Sequence, residues 1–331
     1  MRAQRLAGPM PIEDSPLRPA DRAEPQPGPG QLLLRVKACG VCHTDLHLAE
    51  GEITPPQFPV TPGHQVVGVV AGLGEGVEGW SLGERAGIPW LYQACSRCEF
   101  CRRGQQNLCP YARFTGFSVD GGYADAMLAE ADFALHIPMK IPDPEAAPLL
   151  CAGIVGYRSL RKAELQPGER LGLVGFGASA HLALQVARYW GCPVYVFTRG
   201  EGHRRLASEL GAAWVGGIAD EPPAPLDRAV IFAPAGSLVP PMLGKLRSGG
   251  TLVTNAIHMS PIPEFAYRLI YGERTLRSVA NATYQDGVEF LELAAKIPVT
   301  ARIKLYGLEQ ANRALQDLKA GKIEGAGVLI P

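Results

Sequence analysis

The stretch Arg170–Trp190, RLGLVGFGASAHLALQVARYW, sets the architecture of half the chain. Leu171 to Val174 is an apolar run of strand length. It enters glycines at 175 and 177 and then a segment whose apolar residues recur at helical spacing. Gly175 permits a tight turn, Gly177 lets backbone approach a pyrophosphate, and Ala180 is small enough for the helix to pack closely on the strand. The first N–H groups of such a helix face the phosphates of a dinucleotide.

The pattern repeats downstream. PVYVFTR (193–199) reads as a strand, and EGHRRLASEL (201–210) as a helix closed by Gly211. LDRAVIFAP (226–234) and GTLVTNAI (250–257) read as further strands, with LVPPMLGKLRSGG (238–250) between them. Strands alternating with helices at this spacing build a doubly wound α/β parallel sheet covered on both faces. Residues 151–280 are therefore expected to form a dinucleotide-binding domain. An NAD site commonly has an acid at the end of its second strand. Here that strand ends in Thr198 and Arg199, and Arg204 and Arg205 follow within two turns. A guanidinium suits a ribose 2′-phosphate, so NADP(H) is the expected cofactor, with NAD(H) accepted less well.

Working outward, residues 31–141 have a different texture. QLLLRVKA (31–38), HQVVGVVAGLG (64–74) and ERAGIPWL (84–91) are β-type runs broken by Gly and Pro, as in a mostly β body with long loops. PEAAPLLCAGIVGYRSL (144–160) has helical spacing. In the tail, LEQANRALQDLKAGK (308–322) reads as a helix ended by Gly321, and GAGVLIP (325–331) as a closing strand. Residues 1–150 and 281–331 are expected to form one domain.

Composition narrows the class. The 331 residues carry 32 Lys plus Arg against 32 Asp plus Glu. That balance offers no electrostatic footprint for nucleic acid. No apolar run is long enough for a membrane span, and the polar, Pro-rich first thirty residues lack a signal-peptide core, so the expected setting is cytoplasmic. Reducing conditions there disfavour disulfides, so the eight cysteines are better placed to bind metal.

CSRCEFCRRGQQNLC puts Cys95, Cys98, Cys101 and Cys109 at spacings that wrap one ion tetrahedrally. A closed shell of four thiolates is the usual structural zinc site, and it leaves no position for substrate. CGVCHTDLH (39–47) admits three readings: haem attachment, a redox dithiol, or part of a zinc site. Haem attachment requires export. TPGHQVVG adds His64, and PLLCAG adds Cys151. Two thiolates and one imidazole with a fourth position open make a catalytic zinc arrangement.

On CGVCHTDLH, the Gly63-His64 pair, the four-cysteine run, LLCAG, the glycine turn and GKIEGAGVL, the chain resembles the zinc-dependent alcohol dehydrogenases of the medium-chain dehydrogenase/reductase superfamily. The resemblance covers nearly the whole chain. It implies a Rossmann cofactor domain, a mostly β, GroES-like catalytic domain with a zinc lobe, and two Zn²⁺ per chain. It implies Cys42, His64 and Cys151 as catalytic zinc ligands, and Asp45 as the carboxylate that orients His64. Thr44 then bonds the alcohol, His47 passes the proton onward, His43 faces cofactor phosphate, and Trp90 lines the substrate pocket. Cys39 and Cys192 are left as buried small residues.

The expected reaction is interconversion of small alcohols and aldehydes or ketones, in a homodimer or homotetramer associated through the edge of the cofactor sheet. Two readings stand beside it: an aldehyde reductase for aromatic or allylic aldehydes, and a zinc-free quinone or enone reductase, which would lack the ligands. The chain departs from the family twice. Gln65 stands where the family has a glutamate, and Ala326 stands where some relatives carry a phosphate-binding arginine, with Lys322 as a possible substitute.

Overall fold

The computed structural model describes residues 1–297 and 299–331. The chain divides into two compact units. One comprises Met1–Cys151, Asn281–Lys296 and Thr300–Pro331; the other comprises Ala152–Ala280 and Ile297–Val299.

In the second unit, strand Leu171–Val174 pairs in parallel with Val194–Phe197 on one side and Leu226–Ile231 on the other. Trp214–Gly216 extends the first side, and Leu246–Thr254 and Thr275–Ser278 extend the second. Numbered within the unit, the order is 3-2-1-4-5-6, the doubly wound Rossmann arrangement. Order reverses between Leu171–Val174 and Leu226–Ile231, and the carboxyl ends of strands at such a reversal are where ligands bind. The central strands are buried along their whole length, which explains their continuous apolar reading. Trp214–Gly216 is three residues long and was not legible as a strand.

The first unit is built on a seven-stranded sheet. Its path runs Ile303–Gly307, Ala326–Ile330, Gln31–Val41, Val66–Leu73, Arg85–Ile88 and Leu135–His136, with Ala126–Glu130 also pairing on Gln31–Val41. All of these pairs are antiparallel except the first. The core beneath it is aliphatic around Leu32, Leu34, Val66 and Leu329, with Tyr123 the largest fully buried side chain. Together with the parallel sheet, this is the Rossmann plus GroES-like pairing expected from the sequence.

Two segments differ from their sequence reading. The Pro-rich start is ordered: Arg2–Leu6 and Leu17–Asp21 pair antiparallel, and Gln4 and Leu6 donate backbone N–H bonds to Tyr123 and Val60. The helical run at 144–160 is interrupted. Asp143–Ala146 and a 3₁₀ turn at Ala147–Leu150 lead to Cys151 at φ −133° and ψ −66°, and helix Ala152–Lys162 begins after it. Leaving helical geometry at Cys151 gives its side chain a direction that an unbroken helix would not.

Candidate active site

The register of one strand pair starts the site. Cys39 pairs with Val66 across the Gln31–Val41 and Val66–Leu73 ladder, and Gly40 donates its N–H to Gln65 O at 2.9 Å. Extending that register past the ladder brings Cys42 level with Gly63 and His64. Gly63 sits at φ +97°, and a Cβ there would stand 2.4 Å from Tyr123 Cδ1, so the turn before His64 accepts only glycine.

Helix His43–Glu50 begins directly after Cys42. Asp45, at its third position, accepts the Cys42 N–H at 3.0 Å, which satisfies one of the unpaired donors at the helix start. The same buried carboxylate accepts from Gly63 N at 3.1 Å, from Tyr123 Oη at 3.1 Å and from His64 Nδ1 at 3.2 Å. One side chain thus fixes the helix start, the glycine turn and the imidazole together. With Nδ1 bonded to Asp45, His64 offers Nε2 as its second donor atom. Nε2 is buried and makes no hydrogen bond among the described residues.

Cys42, His64 and Cys151 converge, with their donor atoms all within 4.8 Å of one another. The hydrogen bond shared with Cys151 and the charge of His64 draw the Cys42 thiol well below its usual range, against burial. Cys151, sharing that bond and buried, is pushed up. Burial opposes charge on His64, but Asp45 and Cys42 overcome it and raise the imidazole to about 10. A thiolate, a second thiol and an oriented imidazole in a site this dry form a donor set that fits a borderline-soft divalent cation and leaves a fourth position for another ligand. Cys39 is fully buried and outside the cluster, and Cys192 Sγ donates to Gln166 O at 3.3 Å.

The residues around this cluster fall into place individually. Thr44 Oγ1 lies 3.7 Å from Cys42 Sγ. Trp90 packs edge-on against His64 at 4.9 Å and stacks on Phe114 at 5.2 Å, forming an aromatic wall. His43 is exposed on the first turn, with its ring 6.3 Å from that of His47. His47 is largely buried, and its Nδ1 is bonded to Glu52. Gln65 is buried with Oε1 unbonded among the described residues, and a Cβ on Gly40 would stand 2.9 Å from its Cβ. Gly40, inside the CGVCH run, is therefore set by the side chain of Gln65.

Cys95, Cys98, Cys101 and Cys109 form a second group with donor atoms within 4.8 Å. Backbone N–H groups aim at them: Cys98 N at Cys95 Sγ, 3.3 Å, and Cys95 N at Cys109 Sγ, 3.5 Å. The backbone N–H of Arg97 is the largest influence drawing Cys95 down to about 6, while burial pushes Cys101 up to about 12. Four converging sulfurs fit a closed zinc shell.

In the parallel-sheet unit, Gly175 has φ +80° and Gly177 caps helix Ala178–Tyr189, where a Cβ would meet nothing within 4 Å. Ala180 is fully buried. Thr198 is buried at the end of strand Val194–Phe197, Arg199 is exposed beside it, and Arg204 holds Thr198 O at 3.1 Å through Nε. Arg205 lies 3.8 Å from Glu209 on the same helix. Ala326 is buried in a strand and Lys322 is exposed. Sequence reasoning missed Tyr123 and Glu52; the first is signalled only by burial, and the second by its place after a helix-ending glycine.

Comparison with known proteins agrees with this architecture. Residues 28–139 match the family model described as the alcohol dehydrogenase GroES-like domain. The chain is 47% identical over 336 residues to a probable alcohol dehydrogenase, AdhA, of Mycobacterium tuberculosis (strain CDC 1551 / Oshkosh), covering all of this chain and 97% of that one. Among solved structures it is similar to the cinnamyl alcohol dehydrogenase SbCAD4 of Sorghum bicolor, with a TM-score of 0.92 and 29% identity over 99% of this chain and 97% of that one. It is also similar to a cobalt- and zinc-bound thermostable alcohol dehydrogenase of Pyrobaculum aerophilum, with a TM-score of 0.90 and 26% identity over 100% and 99%. Likeness over the full length, in both units and in sequence, places the chain among the zinc-type medium-chain alcohol dehydrogenases.

Proposed function

We propose that the protein oxidises small alcohols to aldehydes or ketones, and reduces them in the reverse direction, with a nicotinamide cofactor bound by the parallel-sheet unit. NADP(H) is favoured over NAD(H) on the strength of Thr198 and Arg199 at the end of the second strand. The observation that carries the reading is the convergence of Cys42, His64 and Cys151 within 4.8 Å around a buried, unbonded His64 Nε2.

Those three residues would hold the catalytic zinc, and Cys95, Cys98, Cys101 and Cys109 would hold a structural one. When bound, zinc supplies Lewis acidity toward the alcohol or carbonyl oxygen, and the nicotinamide accepts or returns the hydride. The chain supplies position and proton traffic. Asp45 holds the His64 ring so that Nε2 turns toward the thiols. Thr44, the second residue of helix His43–Glu50, takes a hydrogen bond from the alcohol hydroxyl and hands the proton on. His47, one further turn along, carries it outward, a task that an imidazole with a second ring nitrogen can perform. Trp90 bounds the space next to His64 and favours flat or apolar substituents. Gly175, Gly177 and Ala180 admit the pyrophosphate, His43 faces cofactor phosphate, and Arg199 with Arg204 meets the ribose phosphate. Self-association as a dimer or tetramer belongs to the same proposal, with strand Thr275–Ser278 at the end of its sheet as the joining edge.

A panel of primary, secondary and aromatic alcohols run with both cofactors tests this reading. It predicts alcohol-dependent formation of the reduced cofactor, with the higher kcat/KM for NADP(H). Absence of turnover with every alcohol, together with two bound zinc ions, would reject it.

A further inference from the structure

Helix His43–Glu50 ends in a specific motif. Gly51 takes φ +83° and its N–H reaches His47 O and Leu48 O; Glu52 N then donates to His47 O at 2.9 Å. This is the six-to-one closure of a Schellman turn. A Cβ on Gly51 would stand 2.8 Å from Pro9 Cβ, so the turn is also pinned from outside. In such turns the residue after the glycine commonly makes a hydrophobic contact with the residue whose carbonyl it caps. Here those two residues are Glu52 and His47, and the contact is a carboxylate on Nδ1 of an imidazole. The neighbouring acid is otherwise engaged: Glu50 accepts from Ile12 N at 3.1 Å and from Lys319 Nζ at 2.7 Å. The His47 side chain is 11% exposed and that of Glu52 is 41% exposed, so the pair runs from the interior to solvent.

We infer that Glu52 is a positioning residue for proton transfer through His47, holding the imidazole in its Nδ1–H form so that Nε2 is the nitrogen that accepts. The inference rests on the relay role proposed for His47. In alcohol oxidation the proton arriving from the Thr44 side joins Nε2, while Nδ1 keeps its proton toward Glu52. The resulting imidazolium lies against a carboxylate that offsets its charge. The proton on Nε2 then leaves to water, Nδ1 keeps its own toward Glu52, and the neutral Nδ1–H form is restored. No electrons move in this step. A carboxylate orienting an imidazole in this way is a recurrent arrangement in proton-transfer sites, and removing the orienting group admits the wrong tautomer.

The test uses the zinc-loaded full chain and Glu52→Gln, an isosteric change at a partly exposed site that leaves the backbone turn intact. An amide can present either its oxygen or its NH₂ to Nδ1, so the tautomer is no longer fixed. Nitrogen-15 NMR in alkaline buffer, with His47 assigned by its loss in His47→Gln, should report the Nδ1–H form in the wild type and a mixed population in Glu52→Gln. Alcohol oxidation by Glu52→Gln should lose on the order of tenfold in kcat, with KM for the alcohol and zinc content unchanged. The double variant Glu52→Gln/His47→Gln should be no slower than His47→Gln alone, because Glu52 acts through His47. An Nε2–H wild-type form, an unchanged tautomer in Glu52→Gln, or losses that multiply in the double variant would each overturn the inference. The two readings fail separately: lack of alcohol turnover in the wild type removes the proposed function, whereas the tautomer is read by NMR whatever the activity.

Discussion

Asp45 accepts a hydrogen bond from Tyr123 through the carboxylate oxygen that also receives the Cys42 N–H, and its other oxygen receives Gly63 N and His64 Nδ1. The carboxylate is therefore bonded to four donors from three parts of the site: the helix start at Cys42, the Gly63-His64 turn and Tyr123.

Asp45→Asn replaces an acceptor-only group with one that must present an NH₂ to some of those donors. The variant should bind zinc at Cys42, His64 and Cys151 roughly 10- to 100-fold more weakly and lose activity in proportion. Tyr123→Phe removes one of four bonds and should cost on the order of 1–2 kcal/mol of stability, with a smaller loss of zinc affinity. Zinc titration against a chromogenic chelator, paired with thermal melts, separates the two. Equal zinc affinity in Asp45→Asn and wild type would refute the orienting role.

Cys98→Ala opens the four-cysteine group. It should reduce bound zinc from about two per chain to about one, with the melting temperature falling before specific activity does. Metal analysis and a melt on the same sample check it. Loss of activity at unchanged stability would mean that this lobe takes part in the chemistry.

Arg199→Ala should lower kcat/KM for NADP(H) by on the order of tenfold or more while changing NAD(H) little, because the guanidinium bonds a phosphate that only NADP(H) carries. Steady-state kinetics with both cofactors read the ratio. Parallel losses for the two cofactors would place Arg199 elsewhere than at the 2′-phosphate.

Acid sensitivity has an identifiable source in the parallel-sheet unit. Burial would raise Asp227, but hydrogen bonds from Arg170 at 2.8 and 2.9 Å, with Arg247 beside them, hold its carboxyl well below the usual carboxylate range. A depressed folded value means that the stabilisation is complete above the ordinary carboxylate range and is lost as pH falls through the folded value. Melting temperature should therefore drop below about pH 4 in the wild type. Asp227→Asn should be less stable by on the order of 2 kcal/mol at neutral pH, with a flatter acid limb. An acid limb of the same steepness in both would assign the sensitivity to other groups.

The parts of this molecule legible in the sequence are those where residue type alone is restrictive. Four thiols closely spaced at 95, 98, 101 and 109 point to metal, and Gly175 and Gly177 after an apolar run point to a nucleotide turn. The break at Cys151 was not legible, because the apolar spacing of 144–160 continues through it while the backbone turns a sulfur toward Cys42. The N-terminal strands were hidden by prolines, since the pairing of Arg2–Leu6 with Leu17–Asp21 depends on partners at Val60 and Tyr123. Tyr123 and Glu52 were missed for a related reason. Their roles come from tertiary placement, Tyr123 through a hydrogen bond to Asp45, 78 residues away in the chain, and Glu52 through a left-handed turn at Gly51.

The zinc assignment is tested most directly by following alcohol-dependent appearance of reduced nicotinamide absorbance in the wild type and in His64→Ala, with cofactor binding measured on both. The predicted result is turnover in the wild type and none in His64→Ala, with cofactor still bound by the variant. Retention of most of the activity in His64→Ala would contradict it.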